Sequence, residues 1–377
     1  MPSGGIPGRT HLGPEERGRI EGPRGSRRAE EHPDVPYGGG AGLRAQEGHG
    51  QERTNLRSGR ARASRGEDGL ERGGPHGPHG APWGCLSLPG SLPVFWGCRA
   101  LAGDASFEMS VRGVLRALGL SLEDLSPQAC CGEPIRSLSI TASCYLSIRL
   151  LALAASGGHE ELLIPCSKGY YMARWSLDLM SDSREVYEGV SRALSSEGLD
   201  VGSLARPLSL VDLLYREAGP EGLASSSEEL GLEVALHPGC YLLRVRPGTG
   251  EGLDELGRLR ELLGAVGVRA PYYPGMLDCC GGSLSTTRPD AAATLAGSKL
   301  KAVRGAGLRC LVLACPGCFE MLDKRQEEAL KAVGAREPVP VFYFTQLLGL
   351  ALGLGEEELG LQFNSSPVSE ILSGVSR

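Results

Sequence analysis

Two stretches of the chain carry almost the same cysteine spacing. The second runs Cys240, 38 residues, Cys279-Cys280, 34 residues, Cys315-Pro316-Gly317-Cys318. The first runs Cys98, 31 residues, Cys130-Cys131, 34 residues, Cys166-Ser167-Lys168-Gly169. A register of 149 residues lays Cys130, Cys131, Cys166 and Gly169 on Cys279, Cys280, Cys315 and Cys318. Self-similarity at a fixed offset marks an internal repeat, so the fold must be one that can be built twice. Nine of the twelve cysteines belong to the pattern, which leaves Cys85, Cys144 and Cys310 outside it. The copies differ at one ligand position, where Gly169 stands in place of a thiol.

Hydrophobic periodicity fills the space between the cysteines. A strand over 93–97 ends at Cys98, an amphipathic helix is predicted over 107–118, a buried helix over 137–156, and a short strand over 161–165 ends at Cys166. The second copy repeats the order, with strands at 232–236 and 308–314, helices at 253–266 and 290–306, and an approach over 268–273 to Cys279-Cys280. A last strand over 338–344 and a helix capped by Thr345 follow. Strand and helix alternation implies right-handed βαβ crossovers and parallel strands. The expected fold class is therefore α/β, with two pseudo-symmetric Rossmann-like βαβ cysteine-rich halves and the cysteines at the carboxyl ends of the strands. In open α/β sheets that end is where ligands sit.

Composition separates the first ninety residues from the rest. They hold 22 of the 56 glycines, and 13 Arg against 11 Asp plus Glu, with little apolar periodicity. Such a stretch cannot bury a core and is expected to be a disordered tail. It is either a genuine arm or the product of a start assigned too far upstream. Cys85 there has no argued role, and His76 and His79 have no partners nearby, so stray metal binding is the weaker reading. The expected division is 1–91 tail, 92–230 first cysteine-rich domain with its connecting helices, 231–362 second domain with a terminal strand and helix, and 363–377 a loose end. Removing the tail turns the net charge of -6 into -8, a balance that favours neither nucleic acid nor an anionic membrane. No signal-peptide core and no apolar run of about 20 residues is present, so a cytoplasmic protein without a membrane span is expected.

Twelve cysteines without a secretion signal argue against a disulfide framework and for metal ligation. Zinc sites usually pair two short Cys-x-x-Cys units, whereas each half here has at most one short pair and its other cysteines lie far apart. Iron and sulfide suit a soft thiolate set better. The second half offers five thiols, one more than most clusters use, and adjacent Cys279 and Cys280 are awkward ligands for a single tetrahedral ion.

The doubled pattern, with Phe95-Trp96-Gly97-Cys98, His237-Pro238-Gly239-Cys240 and Phe344-Thr-Gln-Leu-Leu-Gly-Leu-Ala-Leu-Gly, resembles the cysteine-rich CCG domains of the B subunit of heterodisulfide reductase. The resemblance covers roughly residues 92–362. It implies noncubane four-iron, four-sulfide (4Fe-4S) clusters, each on one five-cysteine motif, facing each other around a disulfide or persulfide substrate. Each cluster would bind one substrate sulfur and supply one electron. Partners would be a ferredoxin-like C subunit fed by a flavin-containing A subunit. By position, Cys240, Cys279, Cys280, Cys315 and Cys318 resemble a full ligand set, and Cys98, Cys130, Cys131 and Cys166 four of five. Gly169 puts the first cluster in question. Its four thiols would hold an ordinary cluster or one with an open iron, or the first half is a scaffold with buried thiols.

Other residues have competing readings. His237 either donates a proton to a leaving thiolate or, the favoured reading, caps a strand end or hydrogen-bonds a cluster sulfur. Lys168 either offsets anionic cluster charge or a substrate carboxylate, or is simply solvated. Cys144 and Cys310 read as packed core. The chain shows neither a dinucleotide fingerprint nor a ferredoxin cysteine run, so partners must supply electrons. Two functions are consistent with this sequence. One is a disulfide-reducing subunit, and the other is an electron-transfer or anchoring subunit of a succinate, fumarate or glycolate oxidoreductase.

Overall fold

The computed structural model describes residues 91–244 and 251–374; the expectations for the tail, Cys85, His76 and His79 lie outside them. The strands of the described residues all run parallel to their neighbours and fall into two corresponding groups. In the first half β1 (Leu92–Val94), β2 (Leu122–Asp124), β3 (Glu161–Ile164) and β4 (Arg206–Ser209) are ordered β2-β1-β3-β4. In the second, β5 (Leu232–Glu233) pairs with β7 (Val268–Arg269), and β6 (Ala235–His237), β8 (Leu311–Leu313) and β9 (Val341–Tyr343) are ordered β6-β8-β9. β5 and β6 are one run interrupted at Val234, whose N–H still reaches the Arg269 carbonyl at 2.9 Å. Taking β5 and β6 together, the second half has the order of the first, all parallel. The architecture is the expected α/β fold of two cysteine-rich halves.

The repeat is most regular in one long helix of each half. Ile140–Ser156 and Pro289–Gly305 are both 17 residues long and are related by the sequence register. They start by different means. Ser139 accepts the Ala142 N–H at 3.2 Å in the first, and Pro289 supplies a preset φ at the first position of the second. Leu162 and Ile164 pack with Cys144, Ile148 and Leu151 on one face of the first sheet. Leu163 points the other way, into the larger core that the second half shares. That core is closed across the repeat by helix Ala105–Ala117, which buries Phe107, Val111, Val114 and Leu115. Ser110 of this helix meets Thr345 of helix Phe344–Ala351 at 2.8 Å, and Phe107 packs on Tyr343 with ring centroids 5.0 Å apart.

Several expectations shift. The observed strands are shorter than the apolar runs: residues 95–97 leave the ladder before Cys98, and 308–310 and 338–340 precede β8 and β9 without pairing in them. Thr345 lies within its helix rather than capping it; Gln346 Oε1 instead accepts the Tyr343 N–H at 3.0 Å. The segment beyond Asn364, expected to be loose, is tied down where the Asp323 carboxylate accepts the Ser365 and Ser366 N–H groups at 2.7 and 2.9 Å. Among the described residues no helix is long and apolar enough to cross a membrane.

Two glycines let the cysteine pairs approach these helices. Gly132 and Gly281 follow the Cys-Cys pairs with φ of 84° and 82°. A Cβ on Gly132 would lie 2.4 Å from the Ser143 carbonyl, and one on Gly281 2.6 Å from that of Ala292. Both the left-handed backbone and the lack of room demand glycine. Gly281→Ala is expected to lower the unfolding free energy by at least about 2 kcal/mol, read as a lower urea midpoint at unchanged slope.

Candidate functional site

Every cysteine of the doubled pattern sits just beyond a strand or its connection, on the carboxyl side of the sheets. Cys98 and Cys240 open short helices after β1 and β6, and Cys166 and Cys315 stand at the N-caps of helices after β3 and β8. Parallel strands carry all their carboxyl ends to one edge, so thiols far apart in sequence meet there. Cys318 Sγ lies 3.2 Å from Cys280 Sγ and 3.2 Å from His237 Nε2, and the three ligand atoms fall within 4.8 Å of one another. Cys279 continues the set as the shared partner of Cys240 and Cys280. In the first half Cys130 stands near Cys98, whose thiol it pushes up, and is followed in the chain by Cys131; all three are free thiols. The two sets adjoin where Ser167 Oγ, next to Cys166, donates to the carbonyl of Ala314, next to Cys315, at 3.2 Å.

Backbone donors point at the sulfurs. The Gly281 N–H lies 3.3 Å from Cys279 Sγ, the Gly282 N–H 3.4 Å from Cys280 Sγ, and the Gly132 N–H 3.4 Å from Cys130 Sγ. Such donors favour the charged form of a thiol. Cys279, receiving the Cys240 and Cys280 thiols as well, is pushed down to about 2 despite partial burial. Cys315 is likewise held well below the ordinary thiol range, first by the Cys166 and Cys318 thiols and further by the charge of Lys168. Cys166, the donor of that pair, is raised by the same hydrogen bond and by burial. Thiolates are the species that bind metal, and Cys279 and Cys315 are the members of the second set shifted toward that form.

His237 is 1% exposed, and burial, with the charge of Lys299 second, pushes its pKa down to about 3. A neutral imidazole beside Cys318 matches a hydrogen bond to sulfur; it does not match a proton store. Lys168 is not the solvated side chain of the simpler expectation: its Nζ is 3.0 Å from Glu133 Oε2. Glu133 accepts the Tyr241 hydroxyl at 2.6 Å and lies 3.3 Å from Ser283 Oγ. Behind the second set, Lys299 is 2% exposed, with Nζ 2.6 Å from the Gly275 carbonyl and 3.2 Å from that of Met276. Sequence reasoning missed Glu133, Tyr241, Ser283 and Lys299. Glu133 and Tyr241 directly follow cysteine motifs and were findable; Lys299 lies inside an ordinary helix pattern. Cys144 and Cys310 are buried in the core, as expected.

Where the first set ends, Gly169 lies against apolar side chains, and a side chain there would require Ile164 to shift by a few tenths of an ångström. A Cβ there would lie 3.0 Å from Ile164 Cγ2, 3.7 Å from Phe95 Cε1 and 3.9 Å from Cys131 Cβ. The first half therefore presents Cys98, Cys130, Cys131 and Cys166 with an apolar wall in place of a fifth ligand.

Tandem thiol-rich halves on parallel sheets define a cysteine-rich, metal-binding class of protein, and the sequence comparisons agree. The model of the cysteine-rich domain (CCG) family matches residues 93–171 and 234–323. Over 277 residues the chain is 30% identical to the B subunit of the ferredoxin/F(420)H(2)-dependent CoB-CoM heterodisulfide reductase of Methanosarcina acetivorans, covering 71% of this chain and 91% of that one. It is 30% identical over 261 residues to a protein of Archaeoglobus profundus described as like the heterodisulfide reductase B subunit, covering 67% and 87%. It is also 27% identical over 272 residues to the 8-methylmenaquinol:fumarate reductase membrane anchor subunit of Wolinella succinogenes, covering 68% and 89%. The chain belongs to the heterodisulfide reductase B-subunit family of cysteine-rich proteins. A crystal structure of a hypothetical protein from Helicobacter pylori shares the fold, with a TM-score of 0.60 and 16% identity over 74% of this chain; this chain spans 52% of that one.

Family membership implies a redox-related component of an oxidoreductase complex with an iron–sulfur group. The donor set fits such a group: thiols at 3.2 Å from one another, backbone N–H groups aimed at sulfur, and a neutral buried imidazole against Cys318. In the metal-free protein, Cys279, exposed and shifted toward the thiolate, is expected to be alkylated at least about tenfold faster than Cys318, buried and shifted toward the neutral thiol. Mass-spectrometric footprinting with iodoacetamide reads the order directly.

Proposed function

We propose that the chain is the iron–sulfur subunit of a heterodisulfide reductase-like complex, which reduces or forms a disulfide or related sulfur bond with electrons exchanged through partner subunits. The observation that carries this reading is the seam between the halves, where Ser167 Oγ beside Cys166 donates to the Ala314 carbonyl beside Cys315 at 3.2 Å and brings the two cysteine sets together. An electron relay needs one centre. Splitting a disulfide consumes two electrons and two protons, RSSR′ + 2e⁻ + 2H⁺ giving RSH and R′SH, and two adjoining centres suit a two-electron change.

Cys240, Cys279, Cys280, Cys315 and Cys318 would hold one 4Fe-4S group of the noncubane type, and Cys98, Cys130, Cys131 and Cys166 a second, four-thiol group. Bound there, the iron–sulfur group supplies single-electron chemistry. The protein residues shape that chemistry. His237 hydrogen-bonds the Cys318 sulfur, the Gly281 and Gly282 N–H groups stabilise charge on Cys279 and Cys280, and the crevice between the halves receives the substrate. The partners would include a ferredoxin-like C subunit and a flavin-containing A subunit, since the chain has no flavin or nucleotide fingerprint of its own.

A second reading, an electron-transfer or anchoring subunit of a succinate, fumarate or glycolate oxidoreductase, is favoured by Gly169 and by the Wolinella succinogenes relative. Iron and acid-labile sulfide on anaerobically purified protein separate the two. Near eight irons per chain, with an electron paramagnetic resonance signal that responds to added disulfide or thiol, is expected. Near four irons, unchanged by Cys98→Ser, would support the relay, and zinc without iron would sink both.

A further inference from the structure

The crevice between the two thiol sets is bridged by a polar cluster to which both repeats contribute. Lys168 and Glu133 come from the first half, and Tyr241 and Ser283 from the second. Besides its 3.0 Å ion pair with Glu133, Lys168 carries Nζ 5.4 Å above the Tyr241 ring. The same Nζ is 3.9 Å from where a Cβ on Gly317 would project, so the ammonium reaches the loop between Cys315 and Cys318. Gly317 leaves the room it occupies. The charge of Lys168 acts on Cys131 of one set and on Cys315 of the other. Both members of the ion pair are mostly withdrawn from solvent, with side-chain exposures of 22% and 13%. The ion pair with Glu133 and the face of the Tyr241 ring hold the ammonium in this position.

We propose that Lys168 is a positioning charge that raises the reduction potential of the iron–sulfur group, and that Glu133 is its opposing counter-ion. The proposal rests on the iron–sulfur reading above. Each electron added to a thiolate-ligated centre adds one negative charge, and a cation a few ångström away in a poorly screened crevice stabilises the reduced form. A carboxylate at the same place does the reverse. Position Gly317, the register counterpart of Lys168, carries no charge, so one ammonium serves both sets.

The test is a mediated potentiometric titration of the full, iron-loaded chain with dithionite as reductant, followed by electron paramagnetic resonance, for wild type, K168M, K168Q, K168R and E133Q. With iron and sulfide contents unchanged, K168M and K168Q should lower the reduced-to-oxidised ratio at fixed potential about tenfold, 59 mV for a one-electron step. E133Q should raise that ratio, and K168R should leave it within about threefold. Equal potentials in loaded K168M and wild type, or a shift of K168M and E133Q in the same direction, would overturn the proposal. So would loss of iron in both K168M and K168Q, since a charge effect leaves the centre loaded. A wild-type chain without iron would instead overturn the iron–sulfur reading beneath it.

Discussion

Thiolates repel one another, and a chain that gathers nine cysteines on the carboxyl side of its sheets must offset a negative charge that grows with every sulfur that loses its proton. Much of the local architecture answers that demand. Backbone N–H groups of Gly132, Gly281 and Gly282 aim at sulfur. Lys168 lies between the sets, and Lys299 sits behind the second, locked onto two carbonyls. Ser167 Oγ, next to Cys166, donates to the carbonyl of Ala314, next to Cys315, where the two sets approach. Remove the metal-prepared state and these features have no common purpose.

The scaffold makes this convergence possible because parallel strands deliver distant sequence positions to one edge. Three cysteine groups per half arrive on three separate loops, each held at a strand end or helix start. Their placement comes from close packing: the glycines after the Cys-Cys pairs lie against the carbonyls of Ser143 and Ala292, register equivalents on equivalent helices. The halves are then locked by Ser110 to Thr345 and by the Phe107, Tyr343 and Phe319 rings, so the crevice is a consequence of one shared core.

The duplication has been kept as architecture and relaxed as chemistry. The strand order is the same in both halves, yet the first has Gly169 facing Ile164 and Phe95 where the second has Cys318 facing His237. A thiol and an imidazole have their place taken by aliphatic and aromatic carbon.

Most of this was legible in the chain itself. Cysteine spacing at a fixed register marked the repeat, the alternation of apolar periods marked parallel βαβ units, and the missing thiol at Gly169 was visible as a letter, because covalent order and hydrophobic periodicity are local properties. Strand lengths and the anchoring of Ser365 and Ser366 were not, since hydrogen-bond partners far along the chain decide them. The seam beside Cys166 and Cys315, the neutral state of His237 and the Lys168, Glu133 and Tyr241 cluster belong wholly to the tertiary structure. Burial and the approach of one half to the other set the charge of these groups, and neither quantity exists until the two sheets share a core.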